Sequence, residues 1–135
     1  MPEHRPPPAP SSDRRTALAA GIDTASVVLF VAIGRREHDE GTAITGLIST
    51  AAPFLLGLLL AWLVVRAWRA PTAVTTGLLI WPITVAAGML LRRLVFGDGT
   101  ALAFVIVAGV FLGLTLVGWR ALAALFERRV SHSVH

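Results

Sequence analysis

At 135 residues the chain is long enough for one domain, but with 55% hydrophobic and 15% charged residues and a mean hydropathy of +0.71 it is far more apolar than a soluble domain, whose charged share is about 25%. A net charge of +4 and a pI of about 11.5 raise nucleic-acid binding as a class. The 12 basic residues nevertheless stand in small groups at the ends of apolar runs and form no basic helix face, so membrane flanks explain them and no nucleic-acid partner is expected. All 12 are Arg, beside abundant Ala, Gly, Val and Leu, a usage that points to a GC-rich bacterial genome, and the absence of Cys excludes disulfides, thiolate metal sites and thiol chemistry.

Residues 1–15, MPEHRPPPAPSSDRR, are Pro-rich, polar and without periodicity, and read as a disordered cytoplasmic tail. The stretch that follows is interrupted by Asp23 and ends in no small-residue cleavage site, so it reads as a retained span and not a removable signal peptide. Four apolar runs then succeed one another, at about 16–34, 43–65, 72–91 and 101–119, each near the ~20 residues that cross a bilayer core as a helix. Backbone groups in lipid must be satisfied internally, and barrel-type alternation is absent, so the prediction is an all-α integral-membrane four-helix bundle over residues 16–126. Short connections make neighbouring helices antiparallel, and residues 127–135 form a polar C-terminal tail.

Arg placement predicts orientation. The N-terminal tail, the second connection and the C-terminal segment share one side and hold Arg5, Arg14, Arg15, Arg66, Arg69, Arg120, Arg128 and Arg129. The opposite side has Arg35, Arg36, Arg92 and Arg93 with the acids Glu37, Asp39, Glu40 and Asp98, so the positive-inside bias puts both termini in the cytoplasm of a bacterial inner membrane. RREHDEGTAI at Arg35–Ile44 and RRLVFGDGTAL at Arg92–Leu102 share a pattern, and each precedes a run ending near Trp62 or Trp119. That is the form of a parallel repeat of two helical hairpins; the alternative is that such loops reuse Arg, Asp and Gly for local reasons.

Asp23 is the one ionisable residue well inside a run, and a central Asp costs on the order of 2.5–3.5 kcal/mol to insert, so it needs a partner or a proton. At helical rise it lies on the order of 10 Å inside the inner boundary. Arg120 reaches a comparable depth if the fourth helix continues through ALAALF, and an intramembrane Asp23–Arg120 pair is expected, with Arg66 as the alternative partner. The competing reading makes Asp23 a proton-coupling carboxylate.

Pro53 and Pro82 each remove an amide from mid-span, leaving the carbonyls of Ser49 and Leu78 without their usual donors, and can kink their helices or frame a cavity; Thr50 and Thr84 are available to fill the polar gaps. Gly109 and Gly113 make a GxxxG pair, and Gly57 with Ala61 and Thr84 with Gly88 are further small-residue pairs suited to close helix packing, within one chain or between copies. The outer-face polar cluster of Arg35, Arg36, His38, Arg92, Arg93 and Asp98 reads as solvated loop ends; consecutive loop residues seldom converge on one ion, so no metal is expected. Hydrolase triads, phosphate loops, HExxH and dinucleotide fingerprints are absent, so neither an enzyme nor a cofactor is expected.

The segments VLFVAIGRREH after Asp23, AAPFLLGLLLAWL, WPITVAAGMLLRR and FVIVAGVFLGLTLVGWR, over roughly residues 22–122, resemble small four-span membrane proteins of actinobacteria that are catalogued only as a domain of unknown function. The resemblance implies the four-span architecture and an actinobacterial source, and carries no activity, ligand or catalytic residue. The functional expectation is a non-enzymatic accessory or assembly subunit in a lipid bilayer, with a second copy or another membrane protein as partner. The alternative is a small proton-coupled transporter acting as a dimer, with Asp23 below the two proline kinks.

Overall fold

The computed structural model describes residues 12–37, 44–95 and 102–133. They form four α-helices, α1 (Ser12–Glu37), α2 (Ile44–Val65), α3 (Val74–Leu94) and α4 (Leu102–Ser133), with a single 3-10 turn at Ala67–Arg69 between α2 and α3. All four helices are long and apolar enough to cross a membrane. They pack in a ring in chain order, α2 most closely against α3, α3 against α4, and α1 closing the ring against α2 and α4.

The buried residues fall at helical spacing. α1 turns Ala19, Asp23, Val27 and Phe30 inward, and α4 turns Ala108, Leu112, Leu116 and Arg120 inward, one every three or four residues. Most of the long aliphatic side chains point the other way: Leu29, Leu59, Leu63, Leu79, Leu90 and Leu114 are all exposed. A continuous leucine exterior of this kind has a bilayer as its surroundings, since water would not tolerate so large an apolar surface.

Two helices outlast their spans. α1 begins at Ser12, so the stretch Ser12–Arg15, expected in the tail, is its first turn, with Asp13 where an acid complements the helix dipole. α4 runs 32 residues, about 48 Å at helical rise against a core of about 30 Å, and carries Glu127–Arg129, expected in the tail, as helix. The run ALAALFERR has strong helix formers at every position but Phe126 and no Gly or Pro, so nothing stops the helix at the membrane boundary.

The closest approach is between α2 and α3. A Cβ placed on Gly57 would lie 2.9 Å from the Gly88 amide nitrogen and 3.0 Å from the Thr84 carbonyl oxygen, so the two helices touch backbone to backbone there. Gly88 in turn makes room for the ring of Phe54, a Cβ there falling 2.5 Å from it. Phe54 joins Phe30, Phe104 and Phe111 in an aromatic core, with Phe30 5.7, 5.8 and 5.6 Å from the other three ring centres. At the end of the bundle away from the α2–α3 connection, Arg92 lies 4.5 Å over Phe104 and Arg35 Nη1 donates to Thr50 Oγ1 at 2.9 Å.

Both proline-containing helices are continuous through Pro53 and Pro82. Thr84 does not fill the polar gap foreseen for it, since its buried hydroxyl has no hydrogen-bond partner among the described residues, while Thr50 Oγ1 accepts from Arg35.

Candidate functional site

The polar centre of the bundle lies directly beneath the α2–α3 connection. That connection is shaped by its own backbone. α2 stops because Arg66 adopts the left-handed conformation (φ 58°, ψ 54°). Amide-to-carbonyl bonds from Arg69 to Arg66, Ala70 to Ala67 and Ala73 to Ala70 then wind the chain tightly into α3, and the Thr76 hydroxyl donates to the Ala70 carbonyl at 2.6 Å. Ala67 is buried under this cover, while Arg66, Trp68 and Arg69 are exposed, at a level that suits headgroups.

The carbonyl of Pro71 accepts from Arg120 Nε at 2.9 Å, so the connection holds the guanidinium directly. Arg120 Nη1 donates to Asp23 Oδ1 at 2.9 Å and to the Leu116 carbonyl at 2.8 Å, and Nη2 donates to Asp23 Oδ2 at 2.7 Å. The pair is bidentate, and both side chains are at 0% exposure. Gly77 makes the space: a Cβ there would fall 2.9 Å from Arg120 Cδ.

Two further donors complete the carboxylate. Trp62 Nε1, from the last turn of α2, donates to Asp23 Oδ2 at 2.9 Å, and Trp119 Nε1 donates to Oδ1 at 2.9 Å. Each oxygen therefore accepts one arginine and one tryptophan N–H, which uses the roughly four acceptor positions a carboxylate offers. The ring of Trp119 also lies 4.5 Å from the Arg120 guanidinium carbon, placing its π face against the cation. The arrangement joins α1, α2, α4 and the α2–α3 connection at one point.

Chemically, a carboxylate of this kind is a charge held in place. Losing any one of these four bonds would leave a buried donor without its partner, and each such donor carries its own penalty. The two tryptophans were expected only as span ends and interface anchors. Their common depth with Asp23, one closing the second run and one the fourth, is the sequence signal that points to them.

The other expected residues are more scattered. Arg66, the alternative partner, is exposed and is not bonded to Asp23, because its left-handed backbone belongs to the turn above the site. Of the Gly109–Gly113 pair, Gly113 serves packing inside the chain, since a Cβ there would meet the Trp81 ring at 2.6 Å; a Cβ on Gly109 would meet nothing within 4 Å, and its carbonyl accepts from Trp81 Nε1 at 2.7 Å. Pro53 is buried in α2, whereas Pro82 lines a groove on the outer side of α3 and α4, so the two prolines do not frame one cavity. Of the outer-face cluster, Arg35 and Arg92 are engaged as described and Arg93 is exposed at the end of that groove; His38, Asp98 and the Arg36 side chain lie outside the described residues. Among the described residues no three His, Cys, Asp or Glu side chains gather as a metal site would need.

A family model described as "Protein of unknown function (DUF3054)" matches residues 20–123, a segment that holds Asp23, Trp62, Trp119 and Arg120. No curated protein and no solved structure matches the chain.

Proposed function

The chain belongs to that family, and from this premise we propose that it is a non-catalytic multi-pass protein of the bacterial cytoplasmic membrane, an accessory or assembly component built on a fixed four-helix scaffold. The observation that carries the reading is the fourfold occupancy of the Asp23 carboxylate. A proton-coupling acid needs a lone pair that opens during the cycle; Asp23 has all its acceptor positions bonded and ties three helices together. Both termini face the cytoplasm in this proposal, supported by the Arg groups at the end of the bundle that carries the α2–α3 connection. The positions of Trp62 and Trp119, one donor to each carboxylate oxygen, favour a duplicated hairpin as the origin of the fold.

The rival is a dimeric proton-coupled transporter, and Asp23→Asn in proteoliposomes loaded with a pH-reporting dye separates the two. A fixed clamp predicts that the variant loses thermal stability in detergent and that the wild type shows no substrate-driven proton movement. An Asn variant that melts like the wild type while abolishing a proton flux would overturn the proposal. The accessory role predicts a stoichiometric membrane-protein companion on purification from native membrane in mild detergent. Orientation is open to a direct test because the chain has no Cys: cysteines introduced into either tail should react with an impermeant maleimide only after the cells are permeabilised.

A further inference from the structure

The outer side of α3 and α4 carries a half-open groove of about 640 Å³, walled mainly by apolar side chains. Its hollow comes from short or ring-closed residues, Pro82, Ala86 and Gly109, with the flexible Met89 beside them. The floor at one end is the indole of Trp81, fixed by its bond to the Gly109 carbonyl and seated on Gly113. The other end is marked by Arg93, the only charged residue among the described residues of the lining. Arg93 is exposed and has no carboxylate partner among the described residues, in contrast to its neighbour Arg92, which lies on Phe104.

We infer that this groove is a binding site for one anionic membrane phospholipid, its phosphate on Arg93 and an acyl chain laid along α3 as far as Trp81. Length and charge both select this occupant. Arg93 and Trp81 are twelve positions apart on one helix, about 18 Å at helical rise, close to the ~15 Å depth of one leaflet of hydrocarbon. A lipid whose headgroup sits at Arg93 therefore reaches Trp81 near the bilayer midplane. A helix of a second copy would need the small-residue contact that Gly109 and Gly113 provide together, and Trp81 already fills it at Gly113. The guanidinium favours phosphate carrying a net negative charge, through paired N–H bonds, over a zwitterionic headgroup whose own cation competes for it. The site lies at the opposite end of the bundle from Asp23 and does not depend on what that residue does.

The test is native mass spectrometry of the full chain released from mild detergent micelles doped with equal amounts of phosphatidylglycerol and phosphatidylcholine of identical acyl chains. One phosphatidylglycerol per chain should be retained, with a preference of about tenfold. Arg93→Gln should remove the preference while lipid is still retained, and Ala86→Trp, which fills the hollow and leaves Arg93 in place, should lower retention of both lipids. Melting of each variant in detergent, expected within a few degrees of the wild type, excludes loss of fold as the cause. Equal retention of the two lipids by the wild type, or an undiminished preference in Arg93→Gln, overturns the inference. So does an Ala86→Cys variant that forms a disulfide-linked dimer in native membrane, because the groove would then be filled by a second copy.

Discussion

The two seams of the bundle are closed by opposite means. α2 and α3 are joined by a short connection and meet backbone to backbone at Gly57 and Gly88. α1 and α4 lie at opposite ends of the chain, touch less extensively, and are tied by one saturated ion pair. In lipid, where apolar burial gives no advantage over contact with acyl chains, close packing suffices for neighbours already held by their loop. Helices far apart in sequence have no such tether, and here a charge that lipid will not solvate does the joining.

The largest effect should come from breaking the polar seam on one side only. Asp23→Ala or Arg120→Ala leaves a buried charge alone and should destabilise by about 3–5 kcal/mol, seen as loss of a monodisperse, thermally stable species in detergent. The joint replacement Asp23→Leu with Arg120→Met should recover most of that loss if the pair is a fastener and no more. Gly57→Val attacks the other seam and should lower stability by up to about 3 kcal/mol, since the new side chain meets the Gly88 backbone, which cannot step aside as a side chain would. A wild-type melting curve for that variant would mean that the backbone contact is dispensable. Trp62→Phe removes one N–H from the Asp23 carboxylate and should cost about 2 kcal/mol, while its counterpart in α3, Trp81→Phe, gives up a bond to a neutral carbonyl and should cost about half as much.

The smallest changes should be gains. Thr84→Val discards a buried hydroxyl that has no partner among the described residues and should raise stability by about 1 kcal/mol. Arg66→Gly relieves the left-handed backbone at the end of α2 and should raise it by less than about 1 kcal/mol, whereas Arg66→Val, β-branched in the same conformation, should lower it.

The four spans were readable because length and apolarity are local properties, and lipid leaves helices as the simplest solution for such runs. The partnership of Asp23 with Arg120 was readable for a related reason: few charges lie at that depth, and a charge in lipid seeks another. The tryptophan donors were not, since an indole near the end of a span is equally at home facing headgroups, and only the packing of α2 and α4 around α1 turns Trp62 and Trp119 inward. Thr84 looked like a remedy for Pro82 on spacing alone, but its side chain falls on the α2-facing side while Pro82 faces outward to the groove. The early start of α1 and late end of α4 were obscured by polarity, which marks where lipid ends and not where a helix must.

The distance in sequence between the two halves of the clamp sets a schedule for the chain's synthesis. Asp23 precedes Arg120 by 97 positions. At about 5–20 residues per second, α1 is made roughly 5–20 s before its counter-charge exists. During that interval the first helix carries an acid that no residue yet neutralises, so it must wait at the insertion machinery, hold a proton, or borrow a partner from elsewhere. A chain cut short before α4 would lack the guanidinium that neutralises that acid. The clamp thus imposes an order: only a chain that has been translated through α4 can seal α1.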